Sequence, residues 1–418
     1  AKTTVNDDGS ETREYPYGRM FANVVGYTNN GKGGLESQYN FNLLRSHSFF
    51  LTQIINDLKN KKNIGDTLVT TLDYDVQETA YKALGDRDGG VVVMEVKTGK
   101  ILALVSKPDF DPNTLAERWD DIVSDENSSV LLNRVTSGLY PPGSTFKIIT
   151  MAAALEEGIV SLEDSFYCPG YRVVEDRRIR CHKVTGHGAE TFLQGALNSC
   201  NPVFIDVGLR LGVDRYCQYF RQFGLLGKTG VDLPGEAGTI MHAQTDMGEV
   251  ELATTAFGQS FQITPLHLIT TAASLVNGGH LVTPHFGVRV LDAEGNLVKT
   301  FTYDTEKTII SEDSSRTLRY ILKQVVSEGT GKKAAVAGYS VGGKTATSEK
   351  LPRRTGRYIS SFLGFAPADD PQVIGLITID EPVGVYYGGT IAAPVMAEIF
   401  GNILPYLNIP QEEKQQME

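Results

Sequence analysis

The sequence has no long hydrophobic run, few cysteines, a single tryptophan and no excess of positive charge. No stretch of about 18 apolar residues occurs in it, so we expect none of the given residues to span a bilayer. The net charge of −11 argues against nucleic acid or an anionic membrane surface as the main partner. The 4 cysteines are too few for a disulfide scaffold, and they do not settle the redox compartment.

The composition that remains is that of a globular protein with more than one domain. Hydrophobic residues make up 41% of the 418 residues and charged residues 21%, which is ample for a core. Residues 1–64 show weak periodicity, and we interpret them as a small leading domain. Regular patterns start at Thr67, so we place the main domain at 65–418. The polar start contains no signal peptide or anchor, so the protein is either soluble or follows an anchor outside the given residues.

Strand patterns flank a mainly helical middle in the main domain. Two apolar, β-branched runs at 89–108 surround a short turn and predict a hairpin. The apolar segment that starts at Ser144 predicts a helix that ends at Gly158 and is buried on nearly all sides. Residues 338–349, 359–382 and 393–404 predict a strand, a hairpin and a closing helix. One sheet must therefore be assembled from distant parts of the chain.

Ser144 opens the predicted buried helix, and Lys147 follows one turn later on the same face. A serine hydroxyl is a poor nucleophile until a neighbouring base takes its proton, and burial lowers the pKa of a lysine so that it can be that base. The helix N-terminus also favours a developing oxyanion. The alternative is an N-cap serine with a lysine that reaches solvent. Because a charge in the middle of an apolar run is costly, the position of Lys147 favours the catalytic interpretation.

Two further motifs offer polar groups to the same cleft. Ser199 and Asn201 interrupt a helical pattern; the hydroxyl suits a proton relay and the carboxamide suits a substrate amide, although a helix C-cap is the plain alternative. Lys344 and the residues Thr345, Ala346 and Thr347 lie on a predicted strand. Their ammonium and hydroxyl groups suit a substrate carboxylate, although a lysine that protects an edge strand is a common device.

The literal triplet Lys-Thr-Gly occurs at 97–99 and at 228–230, and we reject both copies. The first is a hairpin turn that precedes the nucleophile, and the second runs into a proline-containing loop. The imperfect version at 344–346 is therefore the third motif. Ser-x-x-Lys, a Ser-x-Asn motif and a Lys-Thr-Gly motif, in this order, form the signature of penicillin-binding proteins and β-lactamases.

With these motifs the chain resembles the class B penicillin-binding proteins over nearly all of its length. The matching segments are Arg13–Pro16, Val25–Tyr27, Gly34–Glu36, Asn133–Arg134, Tyr140–Lys147, Leu233–Glu236, Gly258–Gln259, Thr264–Leu266, Asn277–Gly279, Gly329–Gly331 and Tyr387–Gly389. The resemblance implies an α+β fold, with a penicillin-binding/β-lactamase-like transpeptidase domain at 65–418 whose antiparallel sheet is flanked by helices. It identifies 1–64 as part of an N-terminal pedestal.

The resemblance also implies a function and its participants. The expected activity is that of a peptidoglycan D,D-transpeptidase that acts on D-Ala-D-Ala stem peptides through an acyl-enzyme on Ser144 and is inhibited by β-lactams. The backbone N–H groups of Ser144 and Thr347 would form the oxyanion hole. The expected location is the extracytoplasmic face of the cell membrane, with a membrane-embedded glycosyltransferase as partner. A serine β-lactamase and a non-enzymatic β-lactam sensor or divisome scaffold are the alternatives.

No cofactor is needed for this chemistry, but one segment suggests a structural metal. Cys168, Cys181 and His187 lie close together in sequence, and zinc takes four ligands from cysteine, histidine and carboxylates. We predict Asp176 as the fourth ligand rather than His182, because neighbours in an extended chain point apart. A Cys168–Cys181 disulfide and two unrelated free thiols are the competing interpretations.

Overall fold

The computed structural model describes residues 1–6, 8, 10–47, 54, 65–305 and 307–412. The helices, labelled in chain order, are α1 (Ala22–Val25), α2 (Gly34–Gln38), α3 (Asn40–Leu44), α4 (Tyr74–Leu84), α5 (Leu115–Ser124), α6 (Lys147–Glu156), α7 (Phe192–Leu197), α8 (Asn201–Gln222), α9 (Glu249–Thr255), α10 (Pro265–Val276), α11 (Glu312–Ser327), α12 (Gly388–Ile391) and α13 (Ala393–Tyr406). Short 3₁₀ helices span Gly18–Phe21, Gly143–Phe146, Gln244–Asp246 and Lys332–Ala334. The strands are β1 (Lys2–Val5), β2 (Glu11–Glu14), β3 (Thr67–Thr70), β4 (Gly89–Glu95), β5 (Ile101–Lys107), β6 (Ser165–Cys168), β7 (Tyr171–Val174), β8 (Arg177–Arg180), β9 (Gly188–Thr191), β10 (Gly287–Leu291), β11 (Leu297–Thr300), β12 (Gly342–Glu349), β13 (Tyr358–Ala366) and β14 (Val373–Asp380).

The central sheet has five strands in the order β12-β13-β14-β4-β5, and every neighbouring pair is antiparallel. The predicted hairpin at 89–108 is confirmed as β4 and β5. The chain's last three strands join this early hairpin through the pairing of Leu376 with Val92. The predicted antiparallel sheet from distant segments is therefore confirmed. Strand β12 lies at one edge, which leaves a row of its backbone groups unpaired within the sheet.

Both faces of the sheet are covered, which explains why β4 is a continuous apolar run rather than an alternating one. Val91 and Val93 point into a core shared with α4 and α13, whereas Val92 and Met94 point into a larger core that contains α6. Alternate side chains of a strand face opposite sides, so a strand between two cores must be apolar at every position.

Helix α6 lies in the larger core and is buried along most of its length. The sequence predicted this from the absence of a polar face. The helix ends where Gly158 adopts a φ of 64°, a left-handed conformation that favours glycine. At its other end the 3₁₀ turn Gly143–Phe146 packs against β12. The sheet edge and the start of α6 are thereby brought together.

The described part of the leading region packs directly on the main domain. Val24, Leu35 and Tyr39 belong to the same hydrophobic core as α6. The Tyr39 hydroxyl donates a hydrogen bond to Asp232, whose carboxylate also accepts from the backbone N–H of Phe286 at 2.8 Å. The boundary between 1–64 and 65–418 adjoins residues outside those described, so it stays a prediction. Within the described ranges, no helix is both long and apolar enough to cross a membrane.

Candidate active site

Ser144 lies in the 3₁₀ turn that precedes α6, rather than in the α-helix that the sequence pattern predicted for it. In a 3₁₀ turn the side chains at i and i+3 eclipse each other, which still places Ser144 above Lys147. Ser144 is half-buried and Lys147 is fully buried. Gly143 adopts a φ of 58°, and a Cβ there would lie 2.1 Å from Ser348 Oγ. Only glycine lets this turn approach β12 so closely.

Ser199 occupies the short link between α7 and α8. Its φ of 53° is uncommon for a residue other than glycine. Helix α7 starts with a capping box between Thr191 and Gln194, and α8 starts at Asn201 with Pro202 in its first turn. Proline has no N–H to give and suits the first turn of a helix, so Pro202 sets the start of α8. The link between α7 and α8 therefore ends one helix and begins the next. The side chains of Ser199 and Asn201 both point toward Lys147.

The three predicted motifs meet at the Ser199 hydroxyl. Lys147 Nζ donates to Ser199 O at 2.7 Å, to Ser199 Oγ at 3.3 Å and to Asn201 Oδ1 at 2.9 Å. Lys344 Nζ donates to the same Ser199 Oγ at 2.8 Å. A hydroxyl accepts twice and donates once, so Ser199 keeps its own hydrogen for a further acceptor.

Burial makes both lysines unusually acidic. Desolvation lowers the pKa of Lys147 to about 8, and the nearby Cys200, Cys181 and Glu190 oppose the shift only in part. Desolvation, assisted by the charge of Lys147, lowers the pKa of Lys344 well below its usual range. A lysine whose pKa is near neutrality supplies both a proton acceptor and a proton donor at physiological pH. Lys147 can therefore move a proton to and from a serine hydroxyl.

The alternative reading of Lys344, an exposed charge that protects an edge strand, is wrong. Strand β12 is an edge strand, but Lys344 has an exposed fraction of 0%. Thr345 Oγ1 lies 3.4 Å from Thr330 Oγ1, and Thr347 Oγ1 accepts from the backbone N–H of Gly388 at 2.9 Å. Ala346 is buried at 3% exposure beside the nucleophile turn.

The two literal Lys-Thr-Gly copies lie elsewhere. Lys97 is exposed and forms an ion pair with Asp370 at 2.7 Å. Lys228 is bonded to the carbonyl of Glu236 in a loop outside the sheet. Of the three lysines, only Lys344 contacts Ser199, which favours the motif at 344–346.

A second cluster lies behind Ser199. The ligating atoms of Cys168, Cys181, His187 and Cys200 all lie within 4.8 Å of one another. Three of the four predicted metal ligands are in this group, but Asp176 is not. It sits at the tip of the β7–β8 hairpin, where its side chain is 80% exposed and pairs with Arg177. The turn points away from the hairpin base, which is where Cys181 follows β8.

Cys200 takes the place that the sequence argument gave to Asp176. The alternative ligand His182 is exposed and also lies outside the group. The sequence argument did not include Cys200, because this residue lies outside the segment 168–187 that holds the other cysteines and histidines of the cluster. The sequence does contain an indication of its position. Cys200 lies between Ser199 and Asn201, close after a segment that is rich in cysteine and histidine. All 4 cysteines are free thiols in the structure.

Residues 89–401 match the family described as the penicillin binding protein transpeptidase domain. The chain is 39% identical to "Stage V sporulation protein D" of Bacillus subtilis over 96% of this chain and 65% of that protein. It is 30% identical to "Probable peptidoglycan D,D-transpeptidase PenA" of Neisseria meningitidis over 95% of this chain and 69% of the relative. It thus spans about two thirds of the length of these relatives.

Among solved structures, the chain is similar to penicillin-binding protein A from M. tuberculosis in a ceftriaxone acyl-enzyme complex. The TM-score is 0.87 and the sequence identity 25%, over 96% of this chain and 95% of the other. The two chains therefore share their fold over almost their whole length.

Proposed function

Since the chain belongs to the penicillin-binding protein transpeptidase family, we propose that it is a peptidoglycan D,D-transpeptidase that forms an acyl-enzyme on Ser144. The observation that carries this proposal is the shared contact of Lys147 and Lys344 with the Ser199 hydroxyl, directly beside the nucleophile turn. The name of the Neisseria relative, which states the same activity for that protein, supports it.

Acylation begins when neutral Lys147 takes the proton of Ser144 as Oγ attacks the penultimate D-Ala carbonyl carbon of a stem peptide. The carbonyl oxygen becomes an oxyanion, which the backbone N–H groups of Ser144 and Thr347 would stabilise. Collapse of this intermediate breaks the peptide C–N bond. The leaving D-Ala amine receives a proton from the Ser199 hydroxyl, which is replenished by a lysine ammonium, and the acyl group stays on Ser144 as an ester.

The second half-reaction uses the same groups in reverse. An amine of a second stem peptide attacks the ester carbonyl, gives its proton to Lys147, and forms the cross-link. The Ser144 oxygen leaves and recovers a proton from the lysine. Lys344 and the hydroxyls of Thr345 and Thr347 would bind the terminal carboxylate of the donor, since charge-assisted hydrogen bonds suit an anion.

The substrates, inhibitors and location follow from the same family. We assign D-Ala-D-Ala stem peptides as substrates and β-lactams as inhibitors that acylate Ser144, which the ceftriaxone acyl-enzyme of the M. tuberculosis protein supports for that relative. The proposed place of work is the extracytoplasmic face of the cell membrane, with a membrane-embedded glycosyltransferase that makes the glycan strands as partner.

The direct test is mass spectrometry of the protein after incubation with a β-lactam. One ligand mass should be added, on the peptide that contains Ser144, and Ser144→Ala should abolish the adduct. Ser161→Ala, which changes an exposed serine of another loop, is the matched control and should label normally. Labelling that persists in Ser144→Ala would overturn the assignment.

The two alternatives differ from a transpeptidase in turnover. A serine β-lactamase hydrolyses nitrocefin continuously, whereas a transpeptidase consumes a single equivalent and then releases it slowly. A β-lactam sensor or scaffold also binds a single equivalent but does not process a D-Ala-D-Ala-like thioester. We expect one slow equivalent with nitrocefin together with sustained turnover of the thioester.

A further inference from the structure

The β7–β8 hairpin is a small basic element that has no role in the acyl transfer described above. Within residues 171–180, arginine occurs 4 times and an acidic residue 2 times, although the whole chain has a net charge of −11. Its two strands form a sheet of their own among the described strands. A local excess of positive charge on an acidic protein indicates a surface that attracts anions.

The end of the hairpin adjoins the active site. The backbone carbonyl of Arg180 accepts a hydrogen bond from the side-chain amide nitrogen of Asn201 at 3.2 Å. The oxygen of the same amide accepts from Lys147 Nζ at 2.9 Å. One side chain therefore joins the last residue of β8 to the buried lysine of the nucleophile motif, so β8 borders the site.

The pairing register places four side chains on one face of the hairpin. Tyr171 lies opposite Arg180, and Val173 lies opposite Arg178. Residues that lie opposite each other in antiparallel strands share a face, and every second residue of a strand returns to it. These four side chains therefore form one face, which we call the outer face.

The inner face of the hairpin holds it on the domain. Val174 is 3% exposed and belongs to the large hydrophobic core, and Ile179 packs against that core. Arg172 Nε forms an ion pair with Asp206 of α8 at 2.6 Å. These contacts fix the orientation of the hairpin, so the outer face is presented to solvent in a defined position.

The outer face combines unpaired positive charge with apolar surface. Arg178 and Arg180 are exposed, and neither forms an ion pair within the part of the chain that the structure describes. The guanidinium of Arg178 lies over the Tyr171 ring, 3.7 Å from its centroid, and Val173 is 49% exposed. Stacking on an aromatic ring orients a guanidinium and leaves its N–H edge free for an anion.

These features fit an extended acidic peptide. Arg178 and Arg180 are two residues apart on one strand, which separates them by about 6.8 Å along it. An extended peptide has the same spacing, so two of its carboxylates can each meet one guanidinium through paired hydrogen bonds. Val173 and the Tyr171 ring offer apolar contact to the aliphatic parts between the carboxylates.

We propose that the outer face binds carboxylates of a stem peptide that lie outside the amide attacked by Ser144. The proposal rests on the proposed function, because it concerns the substrate of the same site. A stem peptide carries carboxylates besides the terminal one of D-Ala, and β8 borders the site through Asn201. Arg178 and Arg180 thus determine specificity for acidic peptides and do not touch the reacting atoms.

The first experiment measures binding in Ser144→Ala, which cannot be acylated and does not consume the probe. The probe is a fluorescent, soluble stem pentapeptide, and anisotropy gives its Kd. In this background Arg178→Gln and Arg180→Gln should each weaken binding about threefold and together about tenfold, the usual range for exposed ion pairs. Arg177→Gln is the matched control. It removes a charge from the inner face of the same hairpin, where Arg177 pairs with Asp176 at 3.4 Å, and should leave the Kd unchanged.

A second probe identifies the chemical group that the arginines recognise. A stem pentapeptide whose side carboxylates are amidated should bind about tenfold more weakly and should not respond to the arginine variants. Arg178→Lys keeps the charge but lacks the paired N–H groups, so its loss for the acidic probe should be smaller than that of Arg178→Gln. Equal responses of the two probes to the variants would overturn the proposal.

Three further outcomes would contradict the assigned surface or its partner. An unchanged Kd in the double variant would exclude the outer face from substrate binding. An equal loss in Arg177→Gln would show a general effect of charge. Unchanged peptide binding, together with lost binding to phosphatidylglycerol vesicles, would assign the face to a membrane surface instead.

Acylation of Ser144 by a β-lactam separates this proposal from the proposed function. If the protein is acylated and the double variant binds the acidic probe normally, only the role of the hairpin fails. If the protein is not acylated and binds neither probe, the proposed function fails and the role of the hairpin fails with it.

Discussion

Two buried clusters lie on either side of Ser199, and they differ in the polar side chains that they contain. On the active-site side, the side-chain nitrogens of Lys147 and Lys344 contact oxygen acceptors, and both lysines are fully buried. On the other side, three thiols and His187 face one another, and Glu190 Oε1 has no hydrogen-bond partner among the residues that the structure describes. Burial lowers the pKa of both lysines and thereby favours their neutral, basic form, whereas a protonated thiol is neutral and can be buried without that cost.

One short segment, residues 199–201, contributes side chains to both clusters. Ser199 and Asn201 face the lysines, and Cys200 between them faces the thiols. Successive side chains at the start of a helix point in different directions, so three adjacent residues can reach two sites. The positions of the side chains in the two clusters are therefore coupled through the backbone of residues 199–201.

Loss of Lys147, the proposed general base, should have the largest effect. We expect Lys147→Ala to slow β-lactam acylation by about 10²–10⁴, the usual cost of removing a general base. Stopped-flow measurement of acylation by a β-lactam determines this loss. A variant that acylates at the normal rate and differs only in melting temperature would show that Lys147 is merely structural.

Lys344 should matter less, because in the proposed mechanism it would bind the substrate carboxylate and support Ser199, whereas Lys147 would accept the proton. We expect Lys344→Ala to slow acylation by about 10–100-fold for every β-lactam, the worth of a charge-assisted hydrogen bond. Rates for a panel of penicillins and cephalosporins test this. Loss confined to a few compounds would make Lys344 a specificity residue and not part of the shared machinery.

The pH dependence should reveal the lowered pKa of Lys147. With a pKa of about 8, the neutral, basic form of Lys147 is a small fraction near neutral pH and predominates above that pKa. The acylation rate should therefore rise about tenfold from about pH 7 to about pH 9 and then level off. Lys147→Ala should lack this rise. A rate that falls over the same interval would show that the charged lysine is the active form.

The smallest effect should come from Ala346. Its methyl group is buried beside the nucleophile turn, where the family motif has glycine. Ala346→Gly should change acylation rates a few-fold, in a direction that depends on the β-lactam side chain, and should lower the melting temperature slightly because glycine weakens a strand. The comparison variant is Lys344→Ala, which we expect to slow acylation by every β-lactam. Equal, uniform effects from the two variants would mean that Ala346 does not line the ligand site.

Much of the site could be read from the sequence because its residues stand in short motifs whose surroundings are also local. A lysine in an apolar run predicts burial, and Pro141-Pro142-Gly143 predicts a turn that presents Ser144. The two perfect Lys-Thr-Gly copies could be set aside from the sequence, and in the structure neither lies on a strand that could reach the nucleophile. The N-terminal boundary at 64 and the oxyanion hole stay predictions.

The sequence alone determined which side chains are the candidates for the chemistry and which strands are buried, because hydrophobic runs and motif spacing act through local geometry. Only the tertiary structure decided that one hydroxyl, that of Ser199, joins Lys147 to Lys344, which are far apart in the chain. It also replaced Asp176 by Cys200 in the thiol cluster. A ligand set depends on where turns point after packing, and the β7–β8 hairpin carries Asp176 into solvent while the start of α8 carries Cys200 inward.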